Sequence, residues 1–240
     1  MNKRRFAAFD IDGTFYRSHL FWEVFLEQAR QQALHPALNE YVLDLYKKWK
    51  ARSYEDAFET FENESIVAFE KLLLEIDPRE YDRILESVLT PLLDHTYTYT
   101  KNLSVELKKK GYLLLALSGS RIEEVSIFAK HHGFDYWVGQ YYERSANGSR
   151  YTGKTNKTYK DKHLILDKLV KEHGLTYEDS YAVGDSGTDI SLLETVKNPI
   201  AFNPNKVLLA HAKKVGWDIV VERKSIVYTL KEQSGNYLLA

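Results

Sequence analysis

Three short apolar runs, residues 6–9, 112–117 and 181–183, stop abruptly at polar residues: Asp10, Ser118 and Gly184-Asp185. Runs this short, this apolar and bounded at both ends have the character of strands buried on both faces, as in a parallel sheet covered by helices. In an open sheet of that kind, ligands lie beyond the carboxyl ends of the strands, where the strand order reverses. The segments Asp10-Ile11-Asp12-Gly13-Thr14, Ser118-Gly119-Ser120 and Gly184-Asp185-Ser186-Gly187-Thr188-Asp189 are therefore expected to converge, although they are far apart in the chain.

Between residues 15 and 95 the pattern changes to helical spacing, rich in aromatic, lysine and glutamate positions and poor in glycine. Trp22, Phe25, Leu26, Ala29 and Ala33 recur with helical period, as do Tyr54, Ala57, Phe58 and Phe61, and again Ile84, Leu85, Val88 and Leu89. Asp77-Pro78 and Thr90-Pro91 mark boundaries, because a residue before proline is pushed out of helical geometry. The reading is a helical domain, 15–95, inserted into an α/β core formed by 1–14 and 96–240. From residue 97 helix and strand alternate: a helix over 102–110 stopped by Gly111, the strand ending at Ser118, and a helix over 122–132 closed by Gly133. An irregular or hairpin excursion over 141–158 precedes a helix over 160–173 ended by Gly174. Beyond Asp185 the spacing predicts a helix from Asp189, a strand over 200–202, a helix over 207–215 and a strand over 217–221.

Composition narrows the partners. Lysine and arginine total 33 against 34 acidic residues, so no general field draws the chain to nucleic acid or an anionic membrane. Without cysteine there is neither a disulfide framework nor a thiolate metal site. No apolar run approaches the ~20 residues of a membrane span, and an acidic turn follows the charged start at once, unlike a signal peptide. A cytoplasmic protein without integral membrane segment or nucleic-acid partner is expected. Its oligomeric state is not encoded in any visible pattern.

Asp10 and Asp12 sit in one turn before Gly13, whose missing side chain lets backbone amides approach an anion. Carboxylates are hard oxygen ligands suited to Mg²⁺, and Asp185 would complete such a set. One carboxylate can attack phosphorus while its neighbour protonates the leaving oxygen and then activates water. Aspartate and glycine after a strand also make ordinary turns. Ser118-Gly119-Ser120 is expected to open a helix, where hydroxyls and free amides hold phosphate or simply cap the helix. None of the eight histidines is placed by sequence to make Ser118 a nucleophile. Lys162 can neutralise a phosphoryl group and an attacking aspartate, yet nothing local separates it from Lys154, Lys157 and Lys160. Asp189 either caps the next helix or braces the metal ligands. The four together, in this order, point to Mg²⁺-dependent phosphoryl transfer.

These residues resemble the haloacid dehalogenase superfamily, with Asp10 to Thr14 matching its DxDGT signature, Ser118 the second motif, Lys162 the third, and Gly184-Asp185 with Asp189 the fourth. The spacing from Lys162 to Asp185, with Asn203-Pro204 and Gly216-Trp217, is similar to the phosphoserine phosphatase-like branch. The resemblance implies a Rossmann-like parallel sheet with an inserted helical cap that covers the site. It implies that Asp10 is nucleophile and Mg²⁺ ligand, and that Asp12 is general acid and base and lends the metal its backbone carbonyl. It further implies that Ser118 and Gly119 bind phosphate, Lys162 holds the phosphoaspartate charge, Asp185 ligates Mg²⁺ and Asp189 supports that shell. The chain departs from the pattern after the first motif, where phosphoserine phosphatases usually carry a glutamate for the substrate's amino group. Tyr16-Arg17-Ser18-His19 stands there, with Glu23 a helical turn away, and Phe15 replaces the commoner leucine.

The expected substrate is a small phosphorylated metabolite or a lipid-like phosphate. A phosphotransferase, and a silent scaffold that binds a phosphorylated ligand, are the alternatives; paired carboxylates beside an anion speak against the scaffold. Phe15, Tyr16, Phe21, Trp22, Phe25, Tyr46 and Trp49 have the spacing of helix core, with a pocket for an apolar or cationic group as the other reading. Arg17, Arg52 and Arg121 are either anion clamps or surface residues.

Overall fold

The computed structural model describes residues 3–34, 36–55, 57–156 and 162–239. Lys157 and the helix start expected at Lys160 lie outside the described residues. The strands are β1 (Arg4–Asp10), β2 (Leu113–Arg121), β3 (Tyr136–Arg144), β4 (Tyr151–Asn156), β5 (Leu175–Gly184), β6 (Asn198–Phe202), β7 (Asp218–Arg223), β8 (Ile226–Gln233) and β9 (Asn236–Leu239). The helices are α1 (Leu20–Arg30), α2 (Pro36–Lys50), α3 (Ala57–Leu72), α4 (Pro78–Leu89), α5 (Thr98–Lys109), α6 (Ile122–His131), α7 (Lys162–Glu172), α8 (Ile190–Leu193) and α9 (Lys206–Val215). They divide between two units, one of Met1–His19, Leu93–Gln140 and Lys157–Ala240, the other of Leu20–Leu92 and Tyr141–Asn156. No helix among the described residues is long and apolar enough to cross a membrane.

In the first unit the strand order is β3-β2-β1-β5-β6-β7-β8-β9, parallel from β3 to β7 and antiparallel thereafter. The sheet grows from β1 through β2 to β3 on one side and through β5, β6 and β7 on the other, so its direction reverses between β1 and β5. Phe6, Ala8, Leu115 and Leu117 pack with Leu166, Leu192 and Leu208 of the helices, all buried. Burial of each large side chain here contributes roughly 1.5–3 kcal/mol. Two parts of this sheet went unread in the sequence. The first half of β3 carries half-buried Tyr136, Trp137 and Val138 in place of an apolar run, and β8 and β9 are largely exposed strands, β8 with charged Lys231 and Glu232.

The second unit is built on aromatic helix faces. Phe21 stacks on Phe25, Phe69 meets both edge-on, and Phe61 stacks on Trp49 and tilts against Trp22. Each such pair adds roughly 0.5–1.5 kcal/mol to simple burial. Helix α4 starts as its sequence predicts, with Asp77 as N-cap accepting the Arg79 N–H at 2.9 Å and Pro78 in the first turn. Its Tyr81, Ile84, Leu85 and Leu89 form one buried face. Residues Tyr141 to Arg144 pair antiparallel with β4, and Arg144 grips Asp82 of α4 with two bonds of 2.6 and 2.8 Å. Phe15 and Tyr16 belong to the first unit instead, where both are buried against Phe128.

Candidate active site

Strand register brings the motifs to one level. Asp10 lies opposite Leu117 across β1 and β2, and Phe9 opposite Val183 across β1 and β5. Asp10, Ser118 and Gly184 thus share the carboxyl edge of the sheet, at the place where its growth direction reverses. Gly139 lets β3 pass this edge closely, since a Cβ there would meet Ser120 O and Ile122 Cα at 2.8 Å.

Lys162 is the first residue of α7, and its Nζ donates to Asp10 Oδ1 at 2.6 Å and to Asp189 Oδ1 at 2.5 Å. All three side chains are buried. Burial alone would lower the Lys162 ammonium, but the two carboxylates outweigh it and hold it above its ordinary value. Desolvation pushes the Asp10 carboxyl up to about 7 against the lowering pull of Lys162, and Asp189 and Asp12 add to the rise. Lysine is thus held charged within a surplus of carboxylates.

Asp189 is fixed on every side. Its Oδ2 accepts from the backbone N–H of Asp185 at 3.2 Å, from that of Ser186 at 3.0 Å and from the Ser186 hydroxyl at 3.1 Å. Glycine makes this packing possible twice. A Cβ on Gly184 would meet Asp189 Cβ at 2.5 Å, and one on Gly13, whose φ is +82°, would meet Asp185 Oδ2 at 2.3 Å. The sequence assigned Gly13 to an approaching anion; its N–H is in fact shared by the Tyr16 and Ser18 carbonyls, and what comes close is the Asp185 carboxylate.

Asp10, Asp185 and Asp189 each offer an oxygen within 4.8 Å of the others. An all-oxygen set with surplus negative charge is the donor chemistry of a hard divalent ion such as Mg²⁺, so these residues fit the expected metal. Asp12 is engaged otherwise: its Oδ2 accepts from Ser118 Oγ at 2.5 Å, and Ser118 Oγ accepts the Ser120 N–H at 2.9 Å. The expectation that Ser118-Gly119-Ser120 opens a helix is corrected, because β2 runs on through Arg121 and α6 starts at Ile122. Gly119 is exposed between two buried serines.

Two bracing residues escaped the sequence reading. Glu222 of β7 accepts the N–H groups of Thr98 and Tyr99 at 3.1 and 2.8 Å, capping α5 from another strand, and also takes Arg17. Arg17 further donates to Thr96 O at 2.8 Å, so it is a structural brace and not an anion clamp. No local signal marks a pair this distant in sequence. Asn205 donates its N–H to Asp185 O at 2.8 Å while its side chain caps α9; asparagine before a helix was the available clue. Arg121 is not a surface residue either, being 1% exposed with Nη2 3.4 Å from Glu123.

Residues 7–194, spanning the first motif through the Asp185–Asp189 loop, match the model of the haloacid dehalogenase-like hydrolases. The chain belongs to the haloacid dehalogenase-like hydrolase family. Within it the chain is similar to a phosphoserine phosphatase of Methanocaldococcus jannaschii, 30% identical over 129 residues that cover 52% of this chain and 58% of that one. A histidinol-phosphatase of Neisseria meningitidis serogroup C is 34% identical over 89 residues, 35% of this chain and 40% of that protein. The chain thus spans about half the length of these relatives. The fold of the haloacid dehalogenase-like chain also matches a solved structure from Bordetella pertussis Tohama I, described as a protein with unknown function. The TM-score is 0.66 at 24% identity, with 91% of this chain and 98% of that chain covered.

Proposed function

We propose that this family member is a Mg²⁺-dependent phosphatase that hydrolyses a small cytoplasmic phosphate monoester through an aspartyl-phosphate. The observation that carries the reading is the buried Lys162 ammonium between Asp10 and Asp189, with Asp185 in the same cluster. Asp10 Oδ attacks phosphorus, and the ester oxygen leaves with a proton delivered by Asp12. Asp12 then takes a proton from water, whose oxygen attacks the same phosphorus and releases phosphate and free Asp10. Ser118, already bonded to Asp12, supports both phosphate binding and the orientation of that carboxyl group. Gly119 leaves its backbone open to the phosphate. Lys162 balances the charge gathered on Asp10 and the phosphoryl oxygens. Asp10, Asp185 and the Asp12 backbone carbonyl would hold Mg²⁺, with Asp189 steadying them, and the ion would supply Lewis-acid neutralisation of the phosphoryl group.

One relative is named a phosphoserine phosphatase and another a histidinol-phosphatase. This supports a shared reaction on different alcohols. Arg17 and Tyr16, which follow the first motif, are taken up by Glu222 and by the Phe128 packing. Neither is therefore assigned to the substrate, and an amino acid phosphate is not favoured. Phosphate release from an aryl phosphate, with and without Mg²⁺, tests the reaction, and a panel of phosphorylated metabolites and lipids tests the alcohol. Folded protein with no metal-dependent turnover on either would end the proposal.

A further inference from the structure

A second group of ligating side chains lies in the first unit, sharing no residue with the motifs. Asp94, His131 and His132 each present a ligand atom within 4.8 Å of the others. His131 and His132 close α6, and Asp94 follows the point where the chain re-enters this unit. We propose that these three residues bind a borderline divalent transition ion, of which Zn²⁺ is the representative.

The donor set decides the class of ion. Two imidazoles and one carboxylate suit Zn²⁺, Cu²⁺ or Ni²⁺, whereas the all-oxygen cluster at Asp10 suits Mg²⁺. Zinc bonds of 2.0–2.1 Å place tetrahedral ligands about 3.4 Å apart. His131 Nε2 and Asp94 Oδ1 already stand 3.4 Å apart. Both side chains are exposed, at 39% and 70%, and have room for the small closure the third ligand requires. His132 is held in place: its Nε2 meets the Leu93 carbonyl at 2.8 Å and its ring packs on Phe128 and Phe15. A backbone carbonyl on one imidazole nitrogen is the usual orienting partner of a metal-binding histidine. The carboxyl end of α6, where the helix dipole is negative, also favours a cation. One group competes: the Lys101 ammonium lies 3.0 Å from Asp94 Oδ1, the same oxygen that faces His131.

The test is calorimetric titration of the tag-free full chain with ZnCl₂ in excess Mg²⁺, which saturates the acidic cluster. One zinc site per chain is expected. His131→Ala and Asp94→Ala, both at exposed positions, should each weaken it by at least about tenfold, and Lys101→Met should tighten it several-fold. Imidazole NMR signals of His131 and His132 should move with zinc while the other histidines stay. Equal binding by wild type and His131→Ala, or loss of zinc binding in Asp10→Asn, would overturn the assignment. Neither result bears on phosphatase activity, so this site and the proposed reaction stand or fall separately.

Discussion

At the start of α4, Asp77 holds Arg79 and Glu80 holds Arg83 within the first two helical turns, with both arginines 66% exposed. In the first unit Lys162, 5% exposed, lies between Asp10 and Asp189, which are brought to it by two different strand ends. Both are pairings of basic with acidic side chains, and the physics differs. Water screens the α4 pairs, so they do little beyond capping a helix. Water cannot screen the Lys162 cluster, so its surplus carboxylate charge must be answered by the protein or by an incoming cation.

The sharpest way to break this contrast is Asp10→Asn, which should abolish turnover and any trapped acyl-phosphate, while Asp12→Asn should slow both formation and breakdown of that intermediate. Rapid-quench measurement with unchanged rates in either variant would sink the role assignment. Next in size, Lys162→Met should eliminate activity and lower stability by about 3–5 kcal/mol by stranding buried carboxylates. Urea denaturation near neutral pH reads this, and a midpoint unmoved from wild type would show that Lys162 does not balance the buried carboxylates. Gly184→Ala drives a methyl group into Asp189 and should cost roughly 1–3 kcal/mol, together with a fall in kcat. Ser118→Ala should raise KM more than it lowers kcat, in steady-state assays.

The smallest effect belongs to the exposed side of the comparison. The Arg79 bonds lower the Asp77 carboxyl from 3.8 to about 2. A depressed acid stabilises the fold above its unfolded value and loses that contribution as pH falls through the folded one. Arg79→Ala should therefore lower Tm at pH 7, only slightly because water screens the pair, and its difference from wild type should vanish as pH falls from about 4 to 2. A large shift at neutral pH would erase the distinction between the two regions.

Much of the site could be read because each motif stands at the end of an apolar run, and strand ends in a parallel sheet face the same edge. Asp10, Ser118 and Asp185 were legible for that reason. The partners within the site were not. That Asp12 would pair with Ser118, or that Gly13 would make room for Asp185, depends on register between strands more than a hundred positions apart. The Ser118–Ser120 turn misled because serine and glycine after a strand read as a helix start, whereas here the extended backbone continues to Arg121. The aromatic periodicity of residues 15–95 correctly signalled helices, yet Phe15 and Tyr16 pack in the other unit. Strands β8 and β9 lack a buried face strong enough to leave a period in the sequence.

The clamp made by Glu222 has a temporal side. A ribosome delivers Arg17 and the first turn of α5 long before Glu222, which is 205 positions beyond Arg17. Until it emerges, the amides of Thr98 and Tyr99 have only water to bond, and the loop behind the first motif lacks its anchor. Complete assembly of this carboxyl edge is in this sense a late event in synthesis, and nascent chains halted before residue 222 would carry every motif residue without the tie from Glu222 to Arg17 and α5.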